Sequence, residues 1–197
     1  EGNFPALGFD PAPGNVQSGA DAVTSLDAVS QKLHDAHMAL RGVSYSDGVW
    51  RGQGADAFRS KVGELPAKLE TASNSLRDAK VALDGWVSDL GSFQREANGL
   101  EQEAAAARRA ISQAESHPGW SEQGRTYTDP HALSAAQGRL NDAEAALRRA
   151  AADLEDIIER AKSLLRRHTE LAEAIAQKLR AAADQAPDKG FLDYLND

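Results

Sequence analysis

FRSKVGELPAKLETASNSLRDAKVALDGWVSDLGSFQREANGLEQEAAAARRAISQA, residues 58–114, is the stretch that decides the fold. Stepping four and then three residues from Phe58 lands on Val62, Leu65, Leu69, Ala72, Leu76, Ala79, Leu83, Trp86, Leu90, Phe93, Ala97, Leu100, Ala104, Ala107, Ile111 and Ala114. All seventeen positions are apolar. A strict seven-residue repeat is the seam of a left-handed coiled coil. The pattern predicts a helix over about 54–115, roughly 90 Å long at 1.5 Å per residue. Pro66 is expected to kink it, because proline removes a backbone donor and clashes with the preceding turn.

A second seam follows a break at His117–Thr128, which carries Pro118, Gly119 and Gly124. Asp129 offers an N-cap, and Pro130 suits the first helical position. From there Ala136, Leu140, Ala143, Leu147, Ala150, Leu154, Ile157, Ala161, Leu164, His168, Leu171 and Ile175 predict a helix over about 130–185. Upstream, Val16, Ala20, Val23, Leu26, Val29, Leu33, Ala36 and Leu40 form one stripe of a helix over about 16–41, with Gly42 as its stop. Residues 1–15, with Pro5, Pro11 and Pro13, read as an irregular lead-in whose Phe4, Leu7 and Phe9 can pack. Residues 187–197 read as the start of a linker, with Gly190-Phe191-Leu192-Asp193-Tyr194-Leu195 opening a new apolar pattern toward a further C-terminal region.

Composition supports an all-α reading. Alanine, the best helix former, occurs 37 times against 17 valines, isoleucines and threonines together. The expected architecture is an elongated antiparallel bundle, with three helices at one end extending into a two-helix coiled-coil hairpin. With 22 basic and 30 acidic residues the chain carries a formal charge of -8, which argues against a nucleic-acid groove. No cysteine is present, so disulfides and thiolate chemistry are excluded. No apolar run spans a bilayer, and residues 1–15 lack the pattern of a signal peptide.

The two seams also predict a register. Facing residues in an antiparallel hairpin have numbers with a constant total. A total of 247 pairs Ile111 with Ala136, Leu100 with Leu147, Ala97 with Ala150 and Phe93 with Leu154, and sets Trp86 and His168 against alanines. Totals of 240 and 254 match the heptads equally well; 247 levels the two helix ends. A second apolar line, Ile158, Leu165, Ala172 and Leu179, widens the stripe on the C-terminal half of the third helix. The first helix is therefore expected to cover Phe58–Leu83 and Ile158–Leu179, leaving the other end as a bare helix pair.

Between the first two helices the chain reads Gly48-Val49-Trp50-Arg51-Gly52-Gln53-Gly54-Ala55-Asp56-Ala57-Phe58. A Trp-x-Gly turn between two antiparallel amphipathic helices resembles the WXG superfamily of Esx-like type VII secretion substrates. The longer stretch, from Phe9-Asp10-Pro11 through Trp50 to Leu65–Leu69, is similar to the N-terminal WXG-like domains that precede toxins in large actinobacterial type VII effectors. The likeness covers residues 5–115. It implies an export or delivery module for a fused C-terminal effector, secreted without a cleaved signal peptide. The implied partners are the type VII secretion machinery and a small helical WXG-type partner or chaperone. Trp50 and Gly52 are the implied secretion-turn residues. Tyr194 has Asp197 one position early for the family's Tyr-x-x-x-Asp/Glu export signal, and Tyr45 and Tyr127 do not fit it, which leaves the signal beyond this stretch, on a partner protein, or absent.

Nothing else in the sequence points to chemistry. His34 and His37 share a helix face without a third ligand, so no metal is assigned. His168 lies in the seam with a nitrogen expected at the surface. Asp153, Glu155, Asp156, Glu159 and Arg160 read as a solvated face, and the Arg108-Arg109, Arg148-Arg149 and Arg166-Arg167 pairs as salt-bridging flanks. No nucleophile, phosphate loop, cofactor site or catalytic residue is assigned. The residues expected to build the bundle are Phe58, Leu65, Leu69, Trp86, Phe93, Leu147, Leu154 and Leu164. The heptads alone would equally permit a cytoplasmic coiled-coil scaffold or dimerisation rod.

Overall fold

The computed structural model describes residues 4–44, 63 and 65–185. Among the described residues there are three α-helices, α1 (Val16–Ser44), α2 (Leu65–Glu115) and α3 (Pro130–Asp184), a 3-10 turn at Pro118–Glu122 and no strand. Every described seam position from Leu65 to Ala114 and from Ala136 to Ile175 is buried or half-buried. The heptads thus identify the core faces of both long helices.

The ends follow local chemistry. Asn15 caps α1, its Oδ1 accepting the Ser18 N–H at 2.8 Å. Asp129 caps α3, its two carboxylate oxygens accepting from the backbone of His131 and Ala132. Gly42 does not stop α1, which runs on to Ser44. Gly63 lies in a turn and α2 begins at Leu65; the expected start near residue 54 lies outside the described residues. Pro66 therefore sits in the first turn of α2, where its missing N–H costs nothing, and the expected mid-helix kink does not arise.

The chain divides into two compact units, Glu1–Gly14 with Leu90–Thr169, and Asn15–Asp89 with Glu170–Asp197. In the first unit Ala97, Leu100, Ala104 and Ala107 of α2 and Ile157, Ala161 and Leu164 of α3 form the core. Phe4, Ala6, Leu7 and Ala12 of the lead-in complete it. The helix pair is consequently not bare here. The lead-in, rather than α1, supplies the third layer against the Ile157–Leu164 stretch.

The register in this unit differs from the expected one by two heptads. The Phe93 ring meets the His168 ring edge-on, centroids 6.0 Å apart, where Leu154 was expected to face it. Arg160 bonds Glu103 at 2.7 Å and Arg167 bonds Glu96 at 2.6 Å, in the same alignment. These exposed pairs contribute little stability, but they report the register. The cause lies in the connector. It folds back along α3 instead of joining two level ends. A Cβ on Gly119 would stand 2.1 Å from the Arg139 carbonyl oxygen, so only glycine permits this contact. Trp120 Nε1 donates to the Ala114 carbonyl at 2.7 Å and holds the turn against the end of α2. The connector thus covers the first turns of α3, and α2 meets α3 further along. His168 is buried, with both ring nitrogens shielded from solvent rather than reaching the surface.

In the second unit α1 lies antiparallel to α2. Val23, Leu83 and Ile175 form one cluster with Leu26, Trp86, Val87, Leu171 and Leu179 around them. Leu33, Leu69 and Ala72 form another, flanked by Ala36, Leu40 and Leu76. The expected docking of α1 on this part of α2 and on Leu171–Leu179 is what the clusters show.

The register is testable with cysteine pairs. Ala104→Cys with Ile157→Cys should form an intrachain disulfide under mild oxidation, since the observed alignment sets these layers opposite each other, whereas Ala104→Cys with Ala143→Cys, the pairing of the level-ended register, should stay reduced. Non-reducing electrophoresis of the two variants distinguishes the alignments.

Candidate functional site

The turn singled out by sequence, with Trp50 and Gly52, and the seam residue Phe58 lie outside the described residues. Its setting is the antiparallel α1–α2 pair. Gly19 allows the close approach at one end of that pair, since a Cβ there would stand 2.6 Å from Val87 Cγ2. In the middle, Ser30 and Ser73 exchange hydrogen bonds across the interface. Ser30 Oγ donates to the Ser73 carbonyl at 3.1 Å and Ser73 Oγ donates to the Ser30 carbonyl at 3.0 Å. Both serines are buried. Further along, His37 Nδ1 lies 2.7 Å from the Pro66 carbonyl oxygen. A ring nitrogen in that position carries the proton and donates it. The His37 ring also stacks on His34, centroids 6.4 Å apart.

Polar clips inside an otherwise apolar seam select one alignment. A slip of α1 by seven residues would preserve the apolar matching, yet it would break both interhelical hydrogen bonds, each with a net worth of about 0.5–1.5 kcal/mol. The α1–α2 pair therefore favours one register.

The remaining expected residues fall into separate places. Leu65 is half-buried at the start of α2, and Leu69 is fully buried beside Leu33. Trp86 flanks the Val23–Leu83–Ile175 cluster. Phe93 and Leu154 flank the core of the first unit, of which Leu164 is a fully buried member. Leu147 is half-buried on α3. Among the described residues no group of three or more acidic or histidine side chains is placed to hold a metal ion. The acidic run Asp153, Glu155, Asp156 and Glu159 is exposed throughout. Of the arginine pairs, Arg167 bonds Glu96, while Arg108 turns to a backbone carbonyl.

Two arrangements were not read from the sequence. One is the lead-in's attachment to α2. The other is the connector, where Glu122 accepts from the Tyr127 hydroxyl and pairs with Arg139 Nη2 at 2.8 Å. The Tyr127 hydroxyl, and then the Arg139 guanidinium, hold the Glu122 carboxyl below its ordinary pKa of 4.5. A signal for the connector existed in its composition, since Trp120, Glu122, Tyr127 and Arg139 are groups that need partners when folded close. Their spacing, however, follows no helical period.

The described residues form an all-helical protein built from packed amphipathic faces. The family model of the T7SS secretion signal domain matches residues 12–190, and the chain belongs to that family. That membership gives it a role in targeting to type VII secretion. Searches of curated proteins and of solved structures returned no match. No helix among the described residues is long and apolar enough to cross a membrane.

Two measurements test these contacts. Ser73→Ala should cost about 1 kcal/mol, the net worth of a hydrogen bond. Ser73→Leu should cost about 1–3 kcal/mol, because it overfills a position 1% exposed. Denaturant titration ranks the two. For Glu122, a folded pKa below 4.5 means its stabilisation is present above that value and disappears as pH falls through the lowered one. The melting-temperature gap between wild type and Glu122→Gln should therefore be open at neutral pH and narrow as pH drops below 4.5.

Proposed function

We propose that the α1–Trp50–α2 element is a WXG-like export signal. In this reading the type VII machinery reads a folded helix pair, and the domain delivers a C-terminal effector such as a toxin fused to it. The observation that supports it is the single-register α1–α2 pair, locked by Ser30 and Ser73 and leading into the Trp50-Arg51-Gly52 turn. Membership of the secretion-signal family gives the targeting role itself. A machine that reads two helices at once needs their relative alignment fixed, so a buried polar clip in the seam serves recognition as well as stability. Trp50 then acts as an apolar plate at the turn, and Gly52 permits the tight backbone course beside it. A small helical WXG-type partner or chaperone that carries the tyrosine–acid signal is the expected companion. A coiled-coil rod remaining in the cytoplasm is the competing account, and it requires neither the turn nor the machinery.

The decisive experiment compares cell fractions from a native host and from one lacking the type VII ATPase. The protein carrying this domain should appear outside the first host only. Trp50→Ala with Gly52→Ala should lower the extracellular amount at least tenfold while the cytoplasmic amount and the helical circular dichroism are retained. Equal extracellular amounts in both hosts, without lysis, would leave the rod as the better account.

A further inference from the structure

Residues 4–14 are not helical, yet they are fixed on α2 by a regular device. Three side chains of α2, seven residues apart, hold the main chain of this segment. Gln94 Nε2 donates to the Gly14 carbonyl at 3.0 Å. The Glu101 carboxylate accepts two adjacent backbone N–H groups, Ala6 at 2.8 Å and Leu7 at 3.0 Å. Arg108 Nε donates to the Ala6 carbonyl at 2.8 Å. Gln94, Glu101 and Arg108 thus form a polar rail along one face of α2, and the lead-in runs antiparallel to it. Beside the rail lies a floor of small residues, Ala97, Ala104 and Ala161, with Leu100 and Leu164 between them. Alanines leave depth for a chain to approach closely, and Phe4, Leu7 and Ala12 fill that depth, all under 9% exposed. Locally, a turn closed by the Gly8 N–H on the Phe4 carbonyl at 2.8 Å presents the two N–H groups that Glu101 takes.

This is the construction of a peptide-binding groove. Its polar contacts read backbone atoms, and its apolar contacts read two anchor side chains. None of them depends on the peptide being covalently part of the chain, apart from the link at Gly14, whose φ of 145° places it in a conformation that glycine adopts freely. Most of the segment, residues 4–11, also precedes the part of the chain that the family model matches. We propose that the α2–α3 face of the first unit is a peptide-binding groove occupied in cis by residues 4–14, and that this segment is an exchangeable ligand of it. The helices beneath carry their own backbone hydrogen bonds, so the lead-in opens as a local unit while they stay folded.

The test uses the full chain with a protease site placed between Gly14 and Asn15. After cleavage, a synthetic peptide of residues 4–14 bearing a fluorophore is added and its anisotropy followed. The expected result is displacement of the cut segment and saturable binding of the labelled one, with helical circular dichroism unchanged. Glu101→Gln, which loses one of two charge-assisted acceptors, should weaken binding about tenfold or more. Arg109→Gln, on the same helix but away from the rail, should leave it unchanged. Three outcomes overturn the proposal. The cut segment remains and never exchanges. It leaves, and the labelled copy does not bind. Or the cut chain loses its helix, which would make residues 4–14 an integral part of the folded core.

Discussion

Close approach of α2 and α3 along an alanine-rich seam is the constraint on which the first unit rests. Ala97, Ala104 and Ala161 are fully buried and bring little apolar area of their own. Their value is that they let the backbones come near enough for Leu100 and Leu164 to interdigitate and for a third layer to be thin. A helix would be too thick for that layer, and an irregular segment is not. The lead-in therefore suits the place it occupies, and the second unit, richer in leucine and valine at its interface, takes a whole helix instead. Two kinds of third layer follow from two compositions of the same heptad pattern.

The core faces were legible because a period of three and four needs no tertiary information. Leu69, Leu90, Leu100 and Leu164 were all placed in the seam by sequence and are all fully buried. Capping was legible for a similar reason, since Asp129 and Pro130 act through their nearest neighbours. Register was not. A heptad pattern matches itself again after every seven residues, so the seams were equally satisfied by several alignments. The choice between them rested on the assumption that the helix ends are level. The connector breaks that assumption through Gly119 and Trp120, whose contacts are set by shape and follow no period. The rail of Gln94, Glu101 and Arg108 was not legible either, although it keeps a seven-residue step. In sequence they are three polar residues on a helix flank, indistinguishable from a solvated stripe.

Function divides along the same line. The Trp50-Arg51-Gly52 turn carried a family likeness that the match over residues 12–190 supports at the level of type VII secretion. What the fold adds is physical: the helix pair flanking that turn is aligned by buried hydroxyls rather than by apolar contact alone. Apolar faces tolerate sliding, and reciprocal hydrogen bonds between Ser30 and Ser73 do not.

The contact between Gly119 and the Arg139 carbonyl has a consequence for how this molecule can change length. A repeating seam can gain or lose whole heptads in both helices together and remain well packed. The glycine contact works as a fixed origin from which both helices are counted. Residues added on one side of it alone would bring every downstream layer out of step, whereas equal additions on both sides would leave each layer matched. Growth and shrinkage of such a hairpin are therefore paired events. The small irregular tip, and not the long regular helices, determines which insertions the chain can absorb.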